Sequence, residues 1–193
     1  MRHRFSGSIA GVGTTSGRRV VIGHWPQSPF GPFTDVMVED ATGHRTLLAP
    51  TQEVAGFVAA TYHFDEVRVV PVTFEDWYVV AGPLTARLTV GGRTALGRLL
   101  ALTPSAPWFA ALVDPVARVV LRGVRTRVTA KEGDREWYAA RDQRAVLDAV
   151  VTWDGEDCGA MTDVVPPVRF GPGSTPPRPS VVDLVSTVER AGL

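Results

Sequence analysis

The sequence predicts a single β-rich α+β domain: an antiparallel β-barrel or strongly curled sheet covered by two helical segments. Three observations predict it. The 19 glycines and 15 prolines are spread along the chain and punctuate short runs of β-branched and aromatic residues. Several of those runs alternate apolar and polar residues with a period of two. Only two stretches carry helical spacing. At 193 residues, 45% hydrophobic and 21% charged, the chain has the composition of one globular domain over residues 1–193.

Phe5–Ala10 and Arg18–Trp25 read as the first two strands, joined by a glycine-rich loop over Gly11–Gly17. Thr34–Glu39 and His44–Leu48 follow, joined by Asp40-Ala41-Thr42-Gly43, whose residues suit a tight turn. A helix then runs from Pro50 to about Tyr62. Thr51 is its N-cap, Glu53 suits its first turn, and Val54, Phe57, Val58 and Thr61 share one face. Asp65–Thr73 and Trp77–Val90 return to strands, the second broken or edged by Pro83.

Arg93–Leu102 and Trp108–Leu121 form the second helical region, interrupted by Pro104, Pro107 and Pro115. Val124–Glu132 and Arg135–Asp142 read as a hairpin around Gly133-Asp134. Charge matching sets its register: Glu132 opposite Arg135, Lys131 opposite Glu136, Arg125 opposite Asp142. Val146–Trp153 is a further strand, turned by Asp154-Gly155. Pro166–Pro179 is a proline- and glycine-rich connection with few bulky residues, and Val181–Val188 is a closing strand.

The 20 basic and 20 acidic residues balance, so no global field draws in nucleic acid or an anionic membrane. All basic residues but Lys131 are arginine, a bias that G+C-rich codon usage produces. The lone Cys158 allows no internal disulfide. Neither a signal-peptide run nor a spanning segment is present. The expectation is a cytoplasmic protein.

Most candidate chemistry is weaker than its ordinary structural reading. Gly11–Gly17 lacks the lysine of a phosphate loop and leads into a strand. The four histidines (His3, His24, His44, His63) are too far apart for a local metal-ligand pair, so neither metal nor cofactor is expected. Lys131 sits beside Glu132 and Glu136, which stabilise its ammonium and oppose Schiff-base chemistry. Acids near Cys158 blunt its nucleophilicity. No serine lies in a G-x-S-x-G elbow.

The sharpest of these signals is the basic stretch Arg118, Arg122, Arg125 and Arg127, with no acid between Asp114 and Glu132. Arg122 and Arg125 could clasp a carboxylate or phosphate, although cations also suit a helix C-terminus without a ligand. Five tryptophans, Trp25 among them, and eight phenylalanines fill a core or line a cavity.

The runs FSGSIAGVGTTSG, GHWPQSPFGPFTDVMVED, HRTLLAPT, FVAATYHFDEVRVVPV, REWYAARD and PPVRFGPGSTPPRPS resemble an uncharacterised protein family of high-GC Gram-positive bacteria. The resemblance spans nearly the whole chain. It implies a bacterial cytoplasmic protein and brings no activity, ligand or catalytic residue with it.

Three functional expectations follow. The first is a binder of a small apolar or acidic molecule in a barrel cavity, with Arg122, Arg125, His24, His63 and Trp25 as its candidate residues. The second is an enzyme in the same cavity, with His24, His63 or an acid as general acid or base. The third is a protein-interaction domain that uses Pro166–Pro179. The binder leads because no nucleophile–base pair appears. Composition leaves the oligomeric state open.

Overall fold

The computed structural model describes residues 2–101, 127–129, 135–170 and 175–189. Thirteen strands among them form one sheet. The chain starts with β1 (Arg2–Thr14), β2 (Arg19–Gln27), β3 (Phe33–Glu39) and β4 (Arg45–Ala49), a meander in which each strand pairs antiparallel with the next. The helix α1 (Gln52–Thr61) then crosses to β5 (Glu66–Val69), which lies parallel to β4. Thr51 caps α1 as its sequence requires: its side chain accepts the Val54 N–H at 3.2 Å.

Val70-Pro71 ends this half. Proline cannot donate to a ladder, and the chain turns there into β6 (Val72–Glu75), β7 (Tyr78–Ala81) and β8 (Leu84–Arg93). The one run expected over Asp65–Thr73 is therefore two strands. They lie at opposite ends of the sheet, because β6 pairs with β7 and not with β5. Pro83 likewise divides Trp77–Val90 into the hairpin β7–β8.

The short α2 (Ala95–Ala101) leads to β9 (Arg127–Thr129) and the 19-residue β10 (Arg135–Trp153). The second expected helical region holds α2 within Arg93–Leu102, and its other part, Trp108–Leu121, lies outside the described residues. The small pieces β11 (Glu156–Asp157) and β12 (Met161–Thr162) precede the closing strand β13 (Ser180–Glu189). Strand order is β5-β4-β3-β2-β1-β13-β10-β8-β7-β6. Two residues join the strands at its ends, so the sheet has to curl on itself. The result is an open half-barrel.

Side chains alternate across each strand, and the concave phase fills the curl. Val20, Ile22, Val36, Val79, Leu84 and Val151 are fully buried there in one cluster that joins both halves of the sheet. Each such side chain contributes roughly 1.5–3 kcal/mol on burial. The convex phase of β1–β4 is covered by α1 and by the chain between β12 and β13.

Three expectations need correction. Gly11–Gly17 is not a loop: β1 runs on to Thr14, and a tight turn closes with the Gly17 N–H on the Thr14 carbonyl at 2.9 Å. Gly11 and Gly13 are strand residues over which the β12–β13 connection crosses. A Cβ at Gly13 would lie 2.3 Å from the Asp163 carbonyl oxygen. The connection, expected to have too few bulky residues to bury itself, nonetheless places Val168 and Phe170 in one buried cluster with Val21.

The third correction concerns the β9–β10 hairpin. The segments pair antiparallel as expected, but Thr129 lies opposite Arg135 and Arg127 opposite Trp137. The register is three residues away from the charge-matched one, and the connection spans 130–134. An odd shift exchanges the two faces of a strand. Charge pairs worth a few tenths of a kcal/mol do not set a register that β13 also constrains from the other edge of β10. Asp142 is paired by Arg93 at 2.6 Å. Lys131 and Arg125 lie outside the described residues.

Candidate functional site: an aromatic cleft with a buried carboxyl

The alternation of β2 and β3 builds this site. Val21, Gly23 and Trp25 point to the convex face of β2, and Phe33, Asp35 and Met37 to that of β3. Register sets Gly23 opposite Asp35 and Trp25 opposite Phe33. One extra residue on β2 around Trp25-Pro26, opposite Gly7, makes a β-bulge at this end of the ladder. Bulges of this kind re-aim neighbouring side chains.

The α1 helix lies over the same face, with Val58 buried and Phe57 half-buried. Phe5 comes from β1, and Ser186 and Val188 from β13. Together these residues enclose a half-open cleft of about 50 Å³. In that measure a water needs roughly 10–15 Å³, so the cleft has room for a few small-ligand atoms. The Phe5 ring meets Trp25 edge-on at 5.7 Å and lies 5.2 Å from Phe57.

Asp35 is the anomaly in this apolar wall. It is 1% exposed. Its Oδ1 accepts the Trp25 Nε1–H at 3.0 Å, while its Oδ2 has no hydrogen-bond partner among the described residues. Burial pushes its carboxyl up to about 7, against the opposing pull of the Trp25 N–H and its own backbone amide. Near neutral pH this group is a donor when protonated and a lone buried anion when not.

Gly23 makes the arrangement possible. A Cβ there would lie 2.6 Å from both Asp35 Oδ1 and Trp25 Nε1. Gly23→Ala is expected to separate the pair and to cost about 1–3 kcal/mol. Urea denaturation measures the loss, and an upfield shift of the Trp25 indole N–H resonance reports the broken bond. An unmoved indole signal would contradict this account.

The sequence candidates fall in different places. Trp25 lines the cleft. His24, its neighbour, points to the concave side, where its ring stacks on Phe74 at 3.8 Å and its Nδ1 shares a hydrogen bond with Thr34 Oγ1 at 2.9 Å. Burial lowers its pKa. His63 is exposed after α1, held by its backbone N–H on the Phe170 carbonyl at 2.6 Å, and is not among the residues that line the cleft. Arg122 lies, like Arg125, outside the described residues. Asp35 was missed, although its position carried a signal: an acid in the same strand phase as Phe33 and Met37.

Among the described residues no group of three or more His, Cys, Asp and Glu could hold a metal ion. No described helix is long and apolar enough to cross a membrane. No family model matches the chain, and no curated protein or solved structure matches it either.

Proposed function

We propose that this protein binds a small apolar or amphipathic molecule in the aromatic cleft between the convex face of β1–β3 and α1. The observation that carries the reading is the half-open cleft itself: phenyl and indole rings from β1, β2, β3 and α1 converge on it. Apolar concave sites with one or two placed polar groups are the usual form of small-molecule pockets. The concave side of the sheet is filled by its own side chains, so the cleft replaces the barrel interior as the place for a ligand. Binding is favoured over catalysis because neither His24 nor His63 lines the cleft, and among its described lining residues Asp35 has no second carboxyl, histidine, lysine or arginine to act with. An interaction role for Pro166–Pro179 is less favoured, since Val168 and Phe170 belong to the core.

The test is a thermal-shift and NMR panel of small alcohols, aromatics, amines and carboxylates. At least one probe should raise the melting temperature and move the Trp25 indole resonance. A ligand present at one hundred times its Kd stabilises by about 2.7 kcal/mol. Phe57→Ala should weaken that probe at least tenfold. A panel that leaves both melting temperature and the Trp25 signal unchanged overturns the reading.

A further inference from the structure

Resting on that reading, we propose that the cleft selects a cation, a primary alkylammonium whose head group sits on Asp35 Oδ2 inside the ring of Phe5, Trp25, Phe33 and Phe57.

Three observations carry this. The first is the orphan oxygen. Asp35 lines the cleft at 1% exposure, and one of its two oxygens has no partner among the described residues. A buried polar atom without a partner is rare in folded proteins. A buried carboxylate left so is costly, and a cation within hydrogen-bond reach offsets that cost.

The second is the wall. Aromatic faces carry negative potential and attract ammonium groups within about 6 Å. Carboxylate and rings together favour an amine head over a neutral one of equal size.

The third is charge. Among the described residues that line the cleft, Asp35 is the lone carboxyl and there is no lysine, arginine or histidine. The other polar side chains there are Ser186 from β13 and Tyr62 after α1. Nothing in the lining would compensate an anionic ligand. The described lining therefore favours a basic ligand at this site. The size agrees: about 50 Å³ suits a small –NH3+ head, with its alkyl chain along the rings toward the open side.

A cation also needs the ionised form of Asp35. Its affinity should therefore rise between pH 5.5 and 7.5, where burial keeps the empty site partly protonated. Tyr62 is the other titratable group among the described residues that line the cleft.

The experiment compares butylammonium, 1-butanol and butanoate by NMR titration of wild type and Asp35→Asn, read at the Trp25 indole. The expected result is at least a tenfold preference of wild type for butylammonium over 1-butanol, with butanoate weaker still. Butylammonium should tighten from pH 5.5 to 7.5 while 1-butanol stays flat. Asp35→Asn should lose the preference. Equal or tighter binding of 1-butanol by wild type overturns the cation and leaves the cleft reading standing. Tightest binding of butanoate does the same. Retained preference in Asp35→Asn overturns the role of Asp35. If no probe moves the Trp25 signal, both readings fall. The wild-type comparison decides the matter even if the variant does not fold.

Discussion

Raising the pH from 5 to 8 is expected to weaken the fold by about 2–3 kcal/mol through Asp35 alone, and Asp35→Asn is expected to abolish that component. The native carboxyl titrates at about 7 against an ordinary value of 3.8, with burial as the cause. The folded chain thus holds this proton more tightly than the unfolded chain. Between the two values folding takes up a proton, so stability falls as pH rises. The contribution is fully present below about pH 4 and gone above about pH 7.

The paired comparison matters because other groups also titrate over this range. Asp65, held by Arg45 well below the usual carboxylate range, stays ionised throughout it and adds no slope. Urea unfolding of both proteins at half-unit pH steps gives the result as a difference of two curves. Parallel curves would show that Asp35 is ionised in the native state, and would remove the energetic case for a cation site. A saturating alkylammonium should flatten the wild-type curve, since the bound form keeps Asp35 charged.

The parts of the fold that were legible in the sequence are those fixed by neighbours in the chain. Thr51 caps α1 and Asp40–Gly43 turns β3 into β4 because both depend on a few consecutive residues. The phase of Phe57 and Val58 was readable from helical spacing alone. Features set by distant partners were not. Gly11 and Gly13 look like loop residues, and only the chain crossing above them explains their lack of a side chain.

Val70-Pro71 reads as a small interruption, yet it separates strands at opposite edges of the sheet. The β9–β10 register followed the backbone partners on both sides of β10, which no local charge pattern encodes. The site shows the same division. Trp25 stood out by residue type, whereas the strand phase that Asp35 shares with Phe33 and Met37 marks its face but not its burial, which β2, α1 and β13 supply. His24 adjoins Trp25 in sequence and faces the other side of the sheet, as any two consecutive strand residues must.

Glu39→Gln is expected to cost about 3–5 kcal/mol, the largest loss from one polar substitution in this protein. Glu39 is fully buried at the far end of the convex face of β2–β3 from Trp25 and Phe33, opposite Arg19. Its Oε1 lies 3.2 Å from an Arg19 nitrogen, and its Oε2 accepts the backbone N–H of Arg169 at 2.7 Å. Arg19, 4% exposed, also donates to the carbonyls of Pro166 at 3.1 Å and Asp40 at 2.8 Å, while its Nε has no partner among the described residues. Two buried charges thus clamp the β12–β13 connection to the β2–β3 hairpin. Replacing the carboxylate by an amide leaves the guanidinium buried and uncompensated, and that is the source of the cost.

The side chain of Arg169 is mostly exposed, so Arg169→Ala, which keeps the backbone N–H, should cost under about 1 kcal/mol. The double variant Arg19→Met/Glu39→Leu removes both charges and should recover most of what Glu39→Gln loses, because a buried pair rarely outweighs apolar packing of similar volume. Urea denaturation of the three variants decides between clamp and ornament. If Glu39→Gln loses no more than Arg169→Ala, the pair does not hold the connection. In that case Val168 and Phe170 are what keep it on the sheet.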